Sequence, residues 1–124
     1  MAWKLDSDRP LYSQLLETLQ LRIVSGTYKP GDKLPSVRDM AEEAGVNPNT
    51  MQRAFGELER KQLIVTERTA GRHVTEDTKM IDIARRESAD ERLASFIESM
   101  KQLGFNNEEI RNLVAGKLEE GKDE

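Results

Sequence analysis

A chain of 124 residues, 36% apolar and 34% charged, suffices for one small domain with an appendage and is too small to enclose a large cavity. No apolar run approaches the ~20 residues of a membrane span, no basic-then-apolar signal peptide opens the chain, and the absence of cysteine excludes disulfides and thiolate zinc sites and fits a cytoplasmic location. The net charge of −4 weighs against a nucleic-acid partner, but residues 1–77 carry 11 Lys and Arg against 12 Asp and Glu, whereas residues 78–124 carry 8 against 11.

A first helix is expected from Pro10, a residue suited to the first helical position, with Leu11, Leu15, Leu19 and Ile23 forming an apolar stripe at every fourth residue. Gly26 ends it, and Tyr28-Lys29-Pro30-Gly31-Asp32 reads as a turn into an extended Lys33-Leu34. Ser36 then caps a second helix with Asp39 three residues on, and Val37, Met40, Ala41 and Ala44 line its inner face. Gly45 suits the left-handed residue that closes such a helix. Asn47 caps a third helix and Pro48 takes its first turn. Met51, Ala54, Phe55 and Leu58 make its apolar stripe. A step of about 100° per residue puts Asn49, Gln52, Arg53 and Gly56 on the other side.

Two short β-branched runs follow, Leu63-Ile64-Val65-Thr66 and Arg72-His73-Val74-Thr75, joined by Glu67-Arg68-Thr69-Ala70-Gly71. The fold class is therefore mainly α with a small β-hairpin wing: residues 1–77 form a winged helix-turn-helix, in which two capped helices meet at a tight glycine turn. Residues 78–124 form a short two-helix region. A long charged helix over residues 78–103 gathers Leu93, Phe96, Ile97, Met100 and Leu103 toward its end, and Gly104 stops it. After Phe105, an Asn106-x-x-Glu109 capping pair starts a last helix carrying Ile110, Leu113, Val114 and Leu118. The polar tail from Glu119 is expected to fray. Two helices cannot bury these apolar residues alone. The winged domain or the same pair from a second chain must cover them, and a symmetric homodimer is the commonest solution.

The outward side chains of the third helix suit a DNA major groove: Asn and Gln can pair bidentately with adenine, and Arg with guanine. Asn47, Asn49, Thr50, Gln52 and Arg53 are the candidates there, with Thr50 equally able to serve its own helix. Ser36 and Arg38 begin the second helix, whose free N–H groups can hold a phosphate. The plain alternatives are a structural cap for Ser36 and an ion pair of Arg38 with Glu42. Arg68, Gly71 and Arg72 belong to the wing, where a cation can enter a minor groove, with a solvated turn as the alternative. His73, the one histidine, lacks partners for a metal or catalytic role. Glu108-Glu109 and Glu119-Glu120 do not form carboxylate dyads, because adjacent helical residues diverge. No catalytic residues, metal site or cofactor are expected.

With these residues in view, Leu34-Pro35-Ser36-Val37-Arg38-Asp39-Met40-Ala41 resembles the L-P-S-x-R-x-L-A signature of GntR-family bacterial transcription regulators. Val46-Asn47-Pro48-Asn49-Thr50-Met51-Gln52-Arg53-Ala54-Phe55 is similar to the form found in the family's YtrA-like branch. Pro10-Leu11-Tyr12-Ser13-Gln14-Leu15 and residues 26–35 match as well. The resemblance implies a dimeric winged-helix repressor with a two-helix dimerisation region, often controlling its own operon and commonly one encoding an ABC transporter. It also implies operator contacts by Arg38, the start of the third helix and the wing. Many relatives carry Arg where Pro48 and Gln52 stand here, and their wing reads R-G-x-G-T-F/Y-V where this chain has Arg68-Thr69-Ala70-Gly71-Arg72-His73-Val74, so their base contacts do not transfer.

The expected function is a sequence-specific DNA-binding transcriptional regulator, acting as a homodimer on a palindromic double-stranded operator. Its half-sites would lie about one duplex turn apart, roughly 34 Å. A winged-helix protein-interaction module without DNA binding is the alternative. The ~45 residues after the wing are too few to enclose a sizeable effector pocket, so an apolar effector would wedge by Phe96 and Met100 against a neighbouring chain, or bind at a hinge over residues 75–78.

Overall fold

The computed structural model describes residues 3–121. Helix α1 (Leu11–Val24) starts one residue later than expected: Pro10 is its N-cap, with extended backbone (φ −54°, ψ 129°), and Leu11 is the first helical residue. Leu15, Leu19 and Ile23 are buried along its inner side. Helix α2 (Val37–Ala44) begins where Ser36 Oγ accepts the Asp39 N–H at 3.0 Å, and it ends at Gly45 in the left-handed region. There the Gly45 and Val46 amides both return to the Ala41 carbonyl, which turns the chain sharply into α3 (Pro48–Arg60). Asn47 Oδ1 caps α3 through the Asn49 N–H at 2.7 Å.

Strands β1 (Ile64–Glu67) and β2 (Gly71–Val74) pair antiparallel with Ile64 opposite Val74 and Glu67 opposite Gly71. They lie one residue away from the expected runs, because Gly71, at φ +75°, closes the turn and already belongs to β2. The extended segment at residues 31–34 joins the outer side of β2. Leu34 N–H donates to Arg72 O, Gly31 N–H to Val74 O, and Val74 N–H to Asp32 O. The wing thus rests on a third, bridge-like strand.

One core unites these elements. α3 packs on α1, α2 and β1, and Met51, Ala54, Phe55 and Leu58 are at most 1% exposed. Leu34, Leu63, Ile64 and Val74 close the core from below. Helix α4 (Thr78–Gln102) starts with Asp77 Oδ1 accepting the Lys79 N–H, and its first turns belong to this core through Ile81 and Ala84. Arg85 donates twice to the Val24 carbonyl, at 2.9 and 3.1 Å, and so satisfies the C-terminal end of α1. The first compact unit therefore runs to Arg85 and takes in these first turns of α4.

The segment before α1 is held as well. Gln14, buried on α1, accepts the Asp6 N–H and donates to the Asp6 and Arg9 carbonyls. Trp3 Nε1 donates to Glu43 Oε2 at 2.6 Å, and Arg22 stacks over the Trp3 ring at 4.6 Å while reaching the same carboxylate at 3.0 Å. A strap thereby ties α1 to α2.

The second unit comprises the rest of α4 and helix α5 (Asn107–Gly121). Gly104 (φ +100°) ends α4, and Asn106 and Glu109 exchange side-chain-to-amide hydrogen bonds of 2.9 Å as a reciprocal capping box. The helix persists through Glu119 and Glu120 to Gly121, where fraying was expected, and residues 122–124 lie outside the described part.

The hydrogen bond from Trp3, opposed by burial and reinforced by Arg22, holds the Glu43 carboxyl below its ordinary value. Its contribution to stability is complete above that ordinary value and disappears as pH falls through the depressed one. Glu43→Gln should therefore lower the melting temperature near neutrality, with the gap to the parent protein closing on acidification. The 39% exposure of the Glu43 side chain screens the pair and keeps the effect below about 1 kcal/mol. A second substitution should act in the opposite direction. A Cβ on Gly56, in the middle of α3, would meet nothing within 4 Å. Gly56→Ala should stabilise the fold by about 0.5–1 kcal/mol, read from urea midpoints.

Candidate nucleic-acid interface

Burial of four residues on one side of α3 dictates what its other side presents. Asn49, Gln52, Arg53 and Gly56 are all exposed, as the helical period requires, while Thr50 is half-buried. Asn47 is exposed beside them, though its side-chain oxygen is taken by the cap. Ser36 is exposed and its hydroxyl likewise serves its own helix. Arg38 is exposed, and among the described residues no ion pair joins it to Glu42. Arg68 stands in the exposed three-residue connection of the hairpin, also without a carboxylate partner among the described residues.

Two arginines from the expected set are engaged within the fold. The Arg53 guanidinium lies over the Tyr12 ring, 4.5 Å from its centre. Arg72, its side chain only 25% exposed, bonds Glu59 Oε1 at 3.3 Å and lies 5.5 Å over the Phe55 ring. It links β2 to α3, and its donors are partly consumed by that link. Gly71 is half-buried, and a Cβ there would sit 3.6 Å from the Lys33 side chain. Nothing in the sequence pattern distinguished Arg72 from Arg68. The pairing became visible only once register placed Arg72 opposite Thr66, at the α3 side of the wing.

Both carboxylates of α3, and Glu43 of α2, are paired with arginines. Glu57 binds Arg60 at two points, which lowers its carboxyl pKa, chiefly through that hydrogen bond. Glu59 faces Arg72 and Glu43 faces Arg22. The two carboxylates of α3 itself, Glu57 and Glu59, lie in its C-terminal half, so its first two turns carry Asn49, Gln52 and Arg53 and no acidic residue. His73, half-buried, places Nε2 3.4 Å from Glu67 Oε1 across the hairpin. Among the described residues there is no group of three His, Cys, Asp or Glu side chains that could hold a metal ion, and no helix is long and apolar enough to cross a membrane.

The other expected contact set lies on α4 and α5. Leu93, Phe96, Ile97, Leu103 and Leu113 are exposed, with Leu103 at 73%, whereas Met100, Phe105 and Val114 are half-buried. Ile110, by contrast, is buried within the chain itself, at 6% exposure. The depression bounded by Ala94, Ile97, Glu98, Lys101 and Gln102 is drawn from one stretch of α4, so it is a helix face rather than an enclosed pocket.

The geometry has counterparts among known proteins. A family profile described as bacterial regulatory proteins, gntR family, matches residues 11–74. The uncharacterised HTH-type transcriptional regulator YhcF of Bacillus subtilis is 39% identical over 104 residues, covering 84% of this chain and 86% of YhcF. The HTH-type transcriptional repressor YtrA of the same organism is 42% identical over 73 residues, covering 59% of this chain and 56% of YtrA. A solved GntR-family regulator from Listeria monocytogenes superposes with a TM-score of 0.83 at 40% identity, covering 90% of this chain and 98% of that one. The DNA-binding domain of AraR, solved in complex with operator ORE1, superposes with a TM-score of 0.51 at 26% identity over 60% of this chain and 94% of AraR's. The matched span takes in α1, α2, α3 and both wing strands. The chain belongs to the GntR family of DNA-binding bacterial transcription regulators and is similar to its YtrA.

Proposed function

We propose that this protein is a homodimeric, cytoplasmic repressor that binds a palindromic operator and controls its own operon, with a transporter operon as the target that the resemblance to the YtrA-like branch implies. One observation carries the reading: α3 is fully buried along Met51, Ala54, Phe55 and Leu58, and it offers Asn49, Gln52 and Arg53 outward at its N-terminal end. A helix entering a major groove reads base edges with such N-terminal residues. Arg38 and Arg68, free of carboxylate partners among the described residues, supply phosphate or minor-groove contacts on either side. Asn47, Thr50 and the Ser36 end of α2 complete the backbone contacts, while Arg72 acts mainly by fixing the wing to α3. AraR's operator-bound domain, which shares this fold, supports DNA as the ligand.

The exposed Leu93, Phe96, Ile97, Leu103 and Leu113, with half-buried Met100, Phe105 and Val114, support a second copy of the chain as the partner of the α4–α5 region. Ile110 supports that surface from beneath. Two α3 helices related by a two-fold axis would address half-sites about 34 Å apart.

The net charge of −4 favours a second reading, a winged-helix protein-interaction module. The two part in a titration against duplex DNA: binding at low salt that falls steeply as salt rises belongs to the regulator alone.

Arg53→Ala should weaken binding to a duplex selected by the parent protein from a random-sequence pool by about 1–3 kcal/mol, with the oligomeric state unchanged in sedimentation. Unaltered affinity removes Arg53 from the interface. Ile97→Asp should shift the protein to a monomer in sedimentation equilibrium. It should also cost at least about tenfold in duplex affinity, because the two half-sites are no longer engaged together. A parent protein that sediments as a monomer at micromolar concentration rules out the dimer.

A further inference from the structure

We infer that Tyr12 is a positioning residue for operator recognition, acting through Arg53. The inference rests on the proposed reading of α3 as the DNA-facing helix. Tyr12 occupies the second position of α1 and is half-buried, and its ring lies beneath the Arg53 guanidinium of α3 at 4.5 Å. A guanidinium stacked on a ring keeps its N–H donors in its own plane, pointing away from the ring and available at the edge.

The two ring-stacked arginines beside α3 separate on this point. Arg72 over Phe55 also faces Glu59 at 3.3 Å, so its donors turn inward to a carboxylate and its side chain is 25% exposed. Arg53 over Tyr12 has no carboxylate partner among the described residues and is exposed. The first arrangement ties two elements together. The second holds a cation in one orientation and leaves its bonding capacity unspent, which is what a base- or phosphate-reading arginine needs. An exposed arginine otherwise spreads over many rotamers, and binding would have to select one. Tyr12 makes that selection before the duplex arrives.

The placement also explains why a residue of α1, which need not touch DNA, bears on which sequence is bound. The ring fixes where along the groove the Arg53 fork meets a base pair, and bidentate recognition tolerates little displacement. Loss of the ring should blur the preference at the base pair Arg53 reads and leave the other positions unaltered.

The test is a double-mutant cycle on Tyr12 and Arg53, read by fluorescence anisotropy with the pool-selected duplex and a scrambled duplex of equal length. Tyr12→Phe keeps the ring and should bind like the parent protein. Tyr12→Leu should bind the selected duplex about two- to fivefold more weakly, with the scrambled duplex unaffected, and this loss should vanish in the Arg53→Ala background. A Tyr12→Leu loss of equal size with or without Arg53, or an equal loss for Tyr12→Phe, overturns the inference and leaves Arg53's own contact standing. Arg53→Ala binding as the parent protein does would instead remove the reading on which the inference rests. Melting temperatures of each variant separate a folding defect from a recognition defect. If Tyr12→Leu is unfolded, Tyr12→Trp, which retains a face for stacking, should preserve the preference, and its loss there counts against the role.

Discussion

The constraint on which the rest depends is the complete burial of one side of α3. Met51, Ala54, Phe55 and Leu58 recur at helical spacing and are at most 1% exposed. Turning the helix by even one residue step would expose Phe55 and bury Gln52 or Arg53 without partners, and either change is costly on the scale of domain stability. The outer side is thereby fixed as firmly as the inner one. A surface built on the outer side of a helix takes its placement from the core behind it, so the directions in which Asn49, Gln52 and Arg53 leave the backbone are set by the packing of the opposite side.

What surrounds that helix completes the argument for its use. The chain is acidic overall, yet several carboxylates on α2 and α3 are engaged locally: Glu57 by Arg60, Glu59 by Arg72, Glu43 by Trp3 and Arg22. Net charge is a sum over the molecule, whereas the attraction a phosphate feels is set within about 10 Å at ordinary ionic strength. Of the arginines expected at the interface, Arg38, Arg53 and Arg68 have donors not committed to a carboxylate among the described residues. The distribution, not the total, decides the partner.

Much of this was legible from the sequence because caps and turns are local chemistry. Ser36, Gly45, Asn47 and the Asn106–Glu109 pair each did what their spacing implied, since a free helix-end amide needs an oxygen within a few residues. The apolar stripes were legible for the same reason that the core is well packed. The illegible parts depend on residues distant in sequence. Gln14 reads as one more polar helix position until the preceding segment folds back onto it. The end of α3 carries no glycine signal, because Gln62 itself takes the left-handed conformation at φ +64°. Arg72 and Glu59, thirteen positions apart, meet only through the register of the wing. The early turns of α4 read by composition as the start of the charged two-helix region, while Ile81, Ala84 and the bond from Arg85 to Val24 pack them on the first core.

The same distinction bears on the second unit. Its capping box fixes the start of α5 and Ile110 is buried, yet Leu103 and Leu118 stay 73% and 70% exposed within one chain. Scattered exposed leucines are ordinary on a protein surface. Here, however, they share two helices with Leu93, Phe96, Ile97 and Leu113, all exposed, in a unit whose single buried hydrophobic residue beyond the first core is Ile110 among the described residues. One buried isoleucine does not offset the conformational entropy of ordering so many residues. The pair therefore needs apolar surface from elsewhere, and in the dimer proposed above an identical pair would supply it. Association would then be a condition for the stability of α5 as much as a device for spanning two half-sites.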